Sequence, residues 1–99
     1  GRSHDFIISK HGDKVHGEYF SHLFQKINWI NQFYIVQENY EEISVYLKPN
    51  YNPPHKEVKY IESLLKRKFT GMPIEIIITK HLPKTSESKF RYVINKTLS

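Results

Sequence analysis

The apolar and polar positions of the chain follow two different periods, and the changes from one to the other predict its elements. Residues 6–9 and 14–16 are short runs on either side of a turn at 10–13, which predicts a β-hairpin. Gly12 can take the positive φ that such a turn requires. From 18 to 28 the apolar positions recur at helical spacing, which predicts an amphipathic helix.

Two strands, a second helix and a third strand follow along the chain. A near-continuous apolar run at 32–37 predicts a strand that is buried on both faces. Alternation at 43–48 predicts a half-buried strand, paired antiparallel with the first. Helical spacing returns at 55–69, with cations in the last turn. The run at 74–78 predicts a strand whose inward side chains are Ile74, Ile76 and Ile78.

The order of these elements predicts an α+β fold: an N-terminal β-hairpin followed by α-β-β-α-β, with a three-stranded sheet covered by two helices and a flexible C-terminal loop. The tail from residue 82 has weak periodicity, although we expect Tyr92, Val93 and Ile94 to pack back onto the domain. A length of 99 residues fits one domain, 1–99.

Composition limits the possible environment of this domain more than its possible functions. A formal net charge of +5 is compatible with nucleotides, nucleic acid or an acidic partner. There is no cysteine, so we expect no disulfide and a cytoplasmic location. No apolar run approaches the ~20 residues that a membrane span requires, so we expect no membrane association. Because the chain starts without methionine, we expect it to be part of a longer polypeptide.

Metal binding and nucleophilic catalysis find little support in the residues. His11, His16 and His22 fall on a turn, a strand and a helix, without the i,i+4 pairing of a helical zinc motif, so we predict no metal site. Ser86 and Ser88 have neither a glycine elbow nor a neighbouring base.

Nucleic-acid binding is a competing interpretation. Phe33, Tyr34 and Tyr46 on a small sheet, together with basic residues, could stack bases. The aromatic residues of the first of these strands stand in a contiguous apolar block, however, and such a block indicates burial rather than an exposed stacking surface. Nucleic acid is therefore the less favoured partner.

A cationic segment follows the last predicted strand. Lys80, Lys84, Lys89 and Arg91 surround a stretch that is rich in hydroxyl side chains. Positioned ammonium and guanidinium groups can stabilise charge that develops on a phosphoryl oxygen. The alternative interpretation is a solvated basic tail.

Both ends of the chain resemble one superfamily. The first seven residues, GRSHDFI, are similar to the Gly-Arg-x-Asp-Asp-x-Ile motif that opens the C-terminal domain of adenylate-forming enzymes, the acyl-CoA synthetases and their relatives. Residues 83–89, PKTSESK, resemble the closing motif Pro-x-Thr-x-Ser-Gly-Lys. The spacing and the turn at Gly12 are similar to the phenylacetate-CoA ligase branch, which includes homologues found with capsular polysaccharide biosynthesis genes. The resemblance covers essentially the entire chain.

The resemblance implies a cap domain of an AMP-forming carboxylate–CoA ligase, whose large N-terminal adenylation domain is absent from this chain. Lys89 would be the catalytic lysine that bridges the carboxylic acid substrate and the α-phosphate of ATP. Arg2 and Gly12 would bind the cofactors, His4 would occupy the hinge, and the hairpin at 6–17 would shape a channel for coenzyme A. Magnesium would be bound with ATP mainly by the N-terminal domain.

Some positions depart from these motifs. His4 stands where the family usually has a hinge aspartate or lysine, and Glu87 and Ser88 replace Ser and Gly before Lys89. Three interpretations stay open: part of an active ligase whose isolated cap domain is inactive, a degenerate homologue that acts as an interaction domain, or a non-enzymatic basic module that binds nucleic acid or a partner protein. The acid substrate and the choice between coenzyme A and a carrier protein cannot be read from these residues.

Overall fold

The computed structural model describes residues 6–39, 41–81 and 93–95. The elements within these ranges are β1 (Phe6–Ile8), β2 (Lys14–His16), α1 (Gly17–Phe24), β3 (Ile30–Asn39), β4 (Glu42–Pro49), α2 (His55–Lys68), β5 (Ile74–Ile78) and β6 (Val93–Asn95). The α+β class and the predicted order of hairpin, helix, two strands, helix and strand are confirmed.

The strands form a hairpin and a four-stranded sheet. Strands β1 and β2 pair antiparallel, and the larger sheet has the order β5-β4-β3-β6. Strands β3 and β4 pair antiparallel as predicted, with Phe33 opposite Leu47 and Tyr34 opposite Tyr46. Strand β5 runs parallel to β4, and β6 runs parallel to β3. Within the described residues, the sheet therefore has one strand more than the three that the sequence predicted, because β6 pairs with the edge of β3 opposite β4.

Strand β3 is buried on both faces over its central residues, as its apolar run predicted. Phe33 and Ile35 point into the main core, while Tyr34 and Val36, on the opposite face, are also buried. The burial predicted for the aromatic block is thus confirmed. Only Gln37 interrupts the apolar character of this buried segment, and its side chain is completely inaccessible.

Both helices contribute to one hydrophobic core on the sheet. Phe20 of α1 stacks on Phe69, which follows α2, with ring centroids 6.1 Å apart. Phe24 lies against Phe33 of the sheet at 4.9 Å. The buried residues of α2 are Ile61 and Leu65, which recur at i,i+4 on one side of the helix. Each such fully buried side chain contributes about 1.5–3 kcal/mol of transfer free energy.

Two local predictions need correction. Helix α1 ends at Phe24 rather than at residue 28, because the next residues form successive turns, with Ile27 N–H donating to the Phe24 carbonyl at 3.0 Å. Ile78 was predicted to face inward but is 37 % exposed. It is the last residue of β5, which is an edge strand in the described sheet, so the core reaches it least.

Candidate functional site

The turn of the N-terminal hairpin is held by main-chain and side-chain hydrogen bonds. The Ser9 N–H donates to the Asp13 carbonyl at 2.8 Å, and the Gly12 N–H donates to the Ser9 carbonyl at 2.9 Å. The Asp13 N–H donates to the Ser9 hydroxyl oxygen at 3.0 Å. Gly12 has φ +91°, and a Cβ there would meet open space. The sequence therefore needs glycine at this position for its backbone conformation and not for close packing.

Strand β1 of the hairpin is fastened to the sheet by one side chain, at Ile8 next to the turn. The carboxamide oxygen of Gln37 accepts a hydrogen bond from the Ile8 N–H at 2.9 Å, and its nitrogen donates to the Ile8 carbonyl at 2.9 Å. This pair of bonds resembles the exchange between paired strands, made here by a side chain. Because both main-chain groups of Ile8 point to Gln37, they lie on the edge of β1 that faces away from β2.

The tip of the hairpin lies against the turn that follows α2. A Cβ placed on Gly71 would be 3.1 Å from Cδ of Lys10 and 3.5 Å from its Nζ. Gly71 also has positive φ, +85°. The Lys10 side chain thus lies on the bare backbone of Gly71, and the hairpin contacts the rest of the domain at its turn as well as at Ile8.

The surface of the hairpin is rich in potential cations. Lys10, His11, Lys14 and His16 are all exposed. The Lys14 ammonium lies over the buried Phe6 ring at 5.0 Å from its centroid, and the His16 ring lies 5.7 Å from the same ring. Such a surface can attract an anionic group of a ligand or a partner. Asp13 supplies a negative charge in the turn.

A second polar surface lies where the helices meet. The Lys68 ammonium is 4.9 Å from the ring centroid of Tyr19. Burial, and secondarily the neighbouring Tyr60, raise the pKa of the Tyr19 phenol above its ordinary value. Tyr60 itself is 61 % exposed. This arrangement brings two phenols and an ammonium together on the helical side of the domain.

Two shallow hollows lie on the described surface. One, of about 550 Å³, is bordered by Gly71 and by the carboxylates of Glu41 and Glu42. The other, of about 380 Å³, is bordered by Phe24, Phe33 and uncharged polar residues. Neither has the cationic lining that a triphosphate requires.

Among the residues that the structure describes, no group of three or more His, Asp or Glu side chains could hold a metal ion. Neither α1 nor α2 has the length and apolarity that a bilayer-spanning helix needs.

Of the residues that the sequence singled out, Gly12 lies in the described hairpin. Arg2, His4 and Lys89 lie outside the described residues, as does the cationic loop predicted at 82–91. Sequence reasoning missed Gln37, although a polar residue at the end of a buried apolar run was a usable signal, because a buried amide requires partners. The contact between Lys10 and Gly71 carries no local sequence signal, since it joins residues far apart in the chain.

The sequence pattern of a known family, described as the CapK C-terminal domain, matches residues 7–96. The chain belongs to the CapK C-terminal domain family. This assignment confirms the resemblance drawn from the two terminal motifs to a C-terminal domain of that branch. No curated protein sequence matches this CapK C-terminal domain.

A solved structure shares the fold of this CapK C-terminal domain. It is a domain of phenylacetate-coenzyme A ligase from Bacteroides vulgatus, and the similarity covers 98 % of this chain and 97 % of that chain. The TM-score is 0.61 and the sequence identity is 14 %. At this identity the likeness shows a common fold.

Proposed function

We propose that this chain is the C-terminal lid domain of an AMP-forming acyl-CoA ligase-like enzyme. The lid would act with a large adenylation domain on a carboxylic acid, ATP and coenzyme A, and would be inactive alone. The observation that carries this proposal is that residues 7–96 match one C-terminal domain family, in a chain whose two ends resemble the opening and closing motifs of the superfamily, in order. The shared fold with a ligase domain supports it further.

In the first half-reaction, the acid attacks the α-phosphate of ATP and pyrophosphate leaves. The Lys89 ammonium would stabilise the negative charge shared by the carboxylate and the phosphoryl oxygens as the new bond forms. Arg2 would approach the ribose and phosphate of the nucleotide. These roles come from the motifs in which the two residues stand.

In the second half-reaction, the lid would rotate about the hinge at His4, so that a different surface of the lid faces the active site. Rotation would withdraw Lys89 and bring the hairpin at 6–17, with Gly12 in its turn, toward the thiol of coenzyme A. The exposed cations of this hairpin are compatible with an anionic thiol substrate. The resemblance to adenylate-forming enzymes implies that ATP and its magnesium are bound mainly by the adenylation domain.

The proposal is tested by separating the two half-reactions in the protein that contains this chain together with its adenylation domain. Lys89→Ala should abolish carboxylate-dependent exchange of pyrophosphate into ATP, while a preformed acyl-adenylate is still transferred to the thiol. Lys84→Ala removes a lysine from the same motif and should leave both half-reactions near wild type. Equal loss of both steps in Lys89→Ala would reject the assigned role.

A degenerate homologue is the second candidate, favoured by the replacement of Ser and Gly by Glu87 and Ser88. A carboxylate two residues before Lys89 could weaken its electrostatic effect. In that case the wild-type protein would show no exchange, and restoring Ser and Gly at these two positions should raise it. A basic binding module would instead give salt-sensitive binding of RNA or DNA by this chain, and a flat titration would reject that interpretation.

A further inference from the structure

Gln37 connects the hairpin to the central sheet through a pair of hydrogen bonds. Its carboxamide bonds to both main-chain groups of Ile8, each at 2.9 Å, and the side chain is fully buried. A buried amide held at both ends has one preferred geometry, because rotation would break both bonds. The contact therefore fixes the orientation of β1 relative to β3, although Gln37 lies 29 residues after Ile8 in the chain.

The same segment of β3 also carries the strand that follows the closing motif. In the parallel pairing with β6, Ile35 is matched with Val93 and Gln37 with Asn95. Strand β1 lies against β6. Lys89 precedes β6 by only four positions in the sequence. The hairpin and β6 are thus both attached to residues 35–37 of β3.

The hairpin has a second contact at its tip, where Lys10 lies on Gly71. An isolated two-stranded hairpin is at best marginally stable in water. Here the side chain of Gln37 holds Ile8, the residue of β1 next to the turn, and Lys10 of the turn itself lies against Gly71. The hairpin should consequently move with the sheet as one body.

We infer that Gln37 is a positioning residue for the thioester-forming step. It holds the hairpin at a fixed angle to β3, so that rotation of the lid brings the hairpin to the thiol in a defined orientation. The inference rests on the proposed function. Without the amide, Ile8 would lose both bonding partners on this edge and the hairpin would no longer be tied to the sheet through this pair of bonds.

The mechanical part of the inference can be tested on this chain by hydrogen exchange. Gln37→Met keeps the length and volume of the side chain and removes both hydrogen bonds. The Ile8 amide should then exchange about tenfold faster or more, since each lost bond is worth about 1 kcal/mol. Gln32→Met makes the same change on the same strand and should leave the Ile8 amide protected. Unchanged protection of Ile8 in Gln37→Met would overturn the inference.

The functional part is tested in the protein with its adenylation domain, well below the melting temperature of each variant. Gln37→Met should slow transfer of a preformed acyl-adenylate to the thiol about tenfold and leave pyrophosphate exchange within about twofold of wild type. A merely structural role would lower both half-reactions together, and that outcome, or an unchanged transfer rate, would overturn the inference.

The two experiments also distinguish a failure of this inference from a failure of the proposed function. If the wild-type protein catalyses neither half-reaction, the proposed function fails and the positioning role fails with it. The exchange of the Ile8 amide would still report whether Gln37 ties the hairpin to the sheet. If wild type catalyses both half-reactions, the ratio of the thiol-transfer rate to the pyrophosphate-exchange rate in Gln37→Met tests the positioning role.

Discussion

The indole N–H of Trp29 donates a hydrogen bond to a carboxylate oxygen of Glu57 at 3.0 Å. Trp29 precedes β3 and is only 1 % exposed, whereas Glu57 lies on the exposed side of the first turn of α2. The bond therefore links the residue that precedes β3 to the first turn of α2. It also allows the largest side chain of the core to be buried without an unpaired donor.

We expect Glu57→Ala to lower the free energy of unfolding by about 1–2 kcal/mol, because the buried indole N–H loses its acceptor. Glu57→Gln keeps an acceptor oxygen and should cost less. Glu62→Ala on the same helix removes the exposed ion pair with Lys66, at 3.6 Å, and should cost no more than about 0.5 kcal/mol. Urea unfolding of the three variants provides the measurement. If Glu57→Ala costs no more than Glu62→Ala, the bond does not stabilise the fold.

Gly12→Ala should destabilise the hairpin by about 1 kcal/mol through backbone conformation alone, since φ is +91° and the space around a Cβ is open. Gly12→Asn should cost less, because asparagine tolerates positive φ better than alanine. The free energy of unfolding and the exchange rates of the amides of residues 9–13 measure both effects. A neutral Gly12→Ala would contradict the assigned conformation.

Gly71 combines the same conformational demand with a close neighbour. Alanine there has to adopt φ +85° and also displace the Lys10 side chain, which lies 3.1 Å from the new Cβ. We expect Gly71→Ala to cost about 1–2 kcal/mol, with a few tenths of that recovered when Lys10 is also replaced by alanine. A double-mutant cycle measured by thermal unfolding isolates this coupling. Strictly additive effects would mean that displacing the Lys10 side chain costs no free energy of unfolding.

The element order could be predicted because it depends on local periodicity. The apolar run of β3 and the helical stripe of α2 each extend over enough residues to show their period. Strand β6 could not be predicted, because Val93–Asn95 is too short to show alternation and forms only by pairing with residues 35–37. The end of α1 at Phe24 was missed for a related reason, since Ile27 keeps helical spacing while the backbone has already turned.

In the candidate site, too, only the features that depend on local sequence could be predicted. The positive φ of Gly12 could be predicted, since the turn of a hairpin is a local requirement for it, whereas the cofactor-binding role of Gly12 stays a prediction. The partnership of Gln37 with Ile8 could not, because a sequence shows that a polar residue interrupts an apolar run but not which main-chain groups it meets. The exposure of Ile78 likewise depends on β5 being an edge strand in the described sheet, which is a property of the topology.

Tyr19 should make the stability of the domain fall at alkaline pH. Its pKa is raised above the ordinary value of about 10 for a phenol, first by burial and second by Tyr60, so the folded state holds the phenol proton more tightly than the unfolded state. Stability from this group is complete below about pH 10 and is lost as pH rises through the folded pKa, because the unfolded state there binds fewer protons. Tyr19→Phe should flatten this decline, which urea unfolding between pH 8.5 and 11 would detect. Tyr60→Phe should lower the pKa of Tyr19 only in part, since burial remains, and the difference absorbance between these variants during titration measures it. An unchanged alkaline slope in Tyr19→Phe would show that this phenol titrates alike in both states.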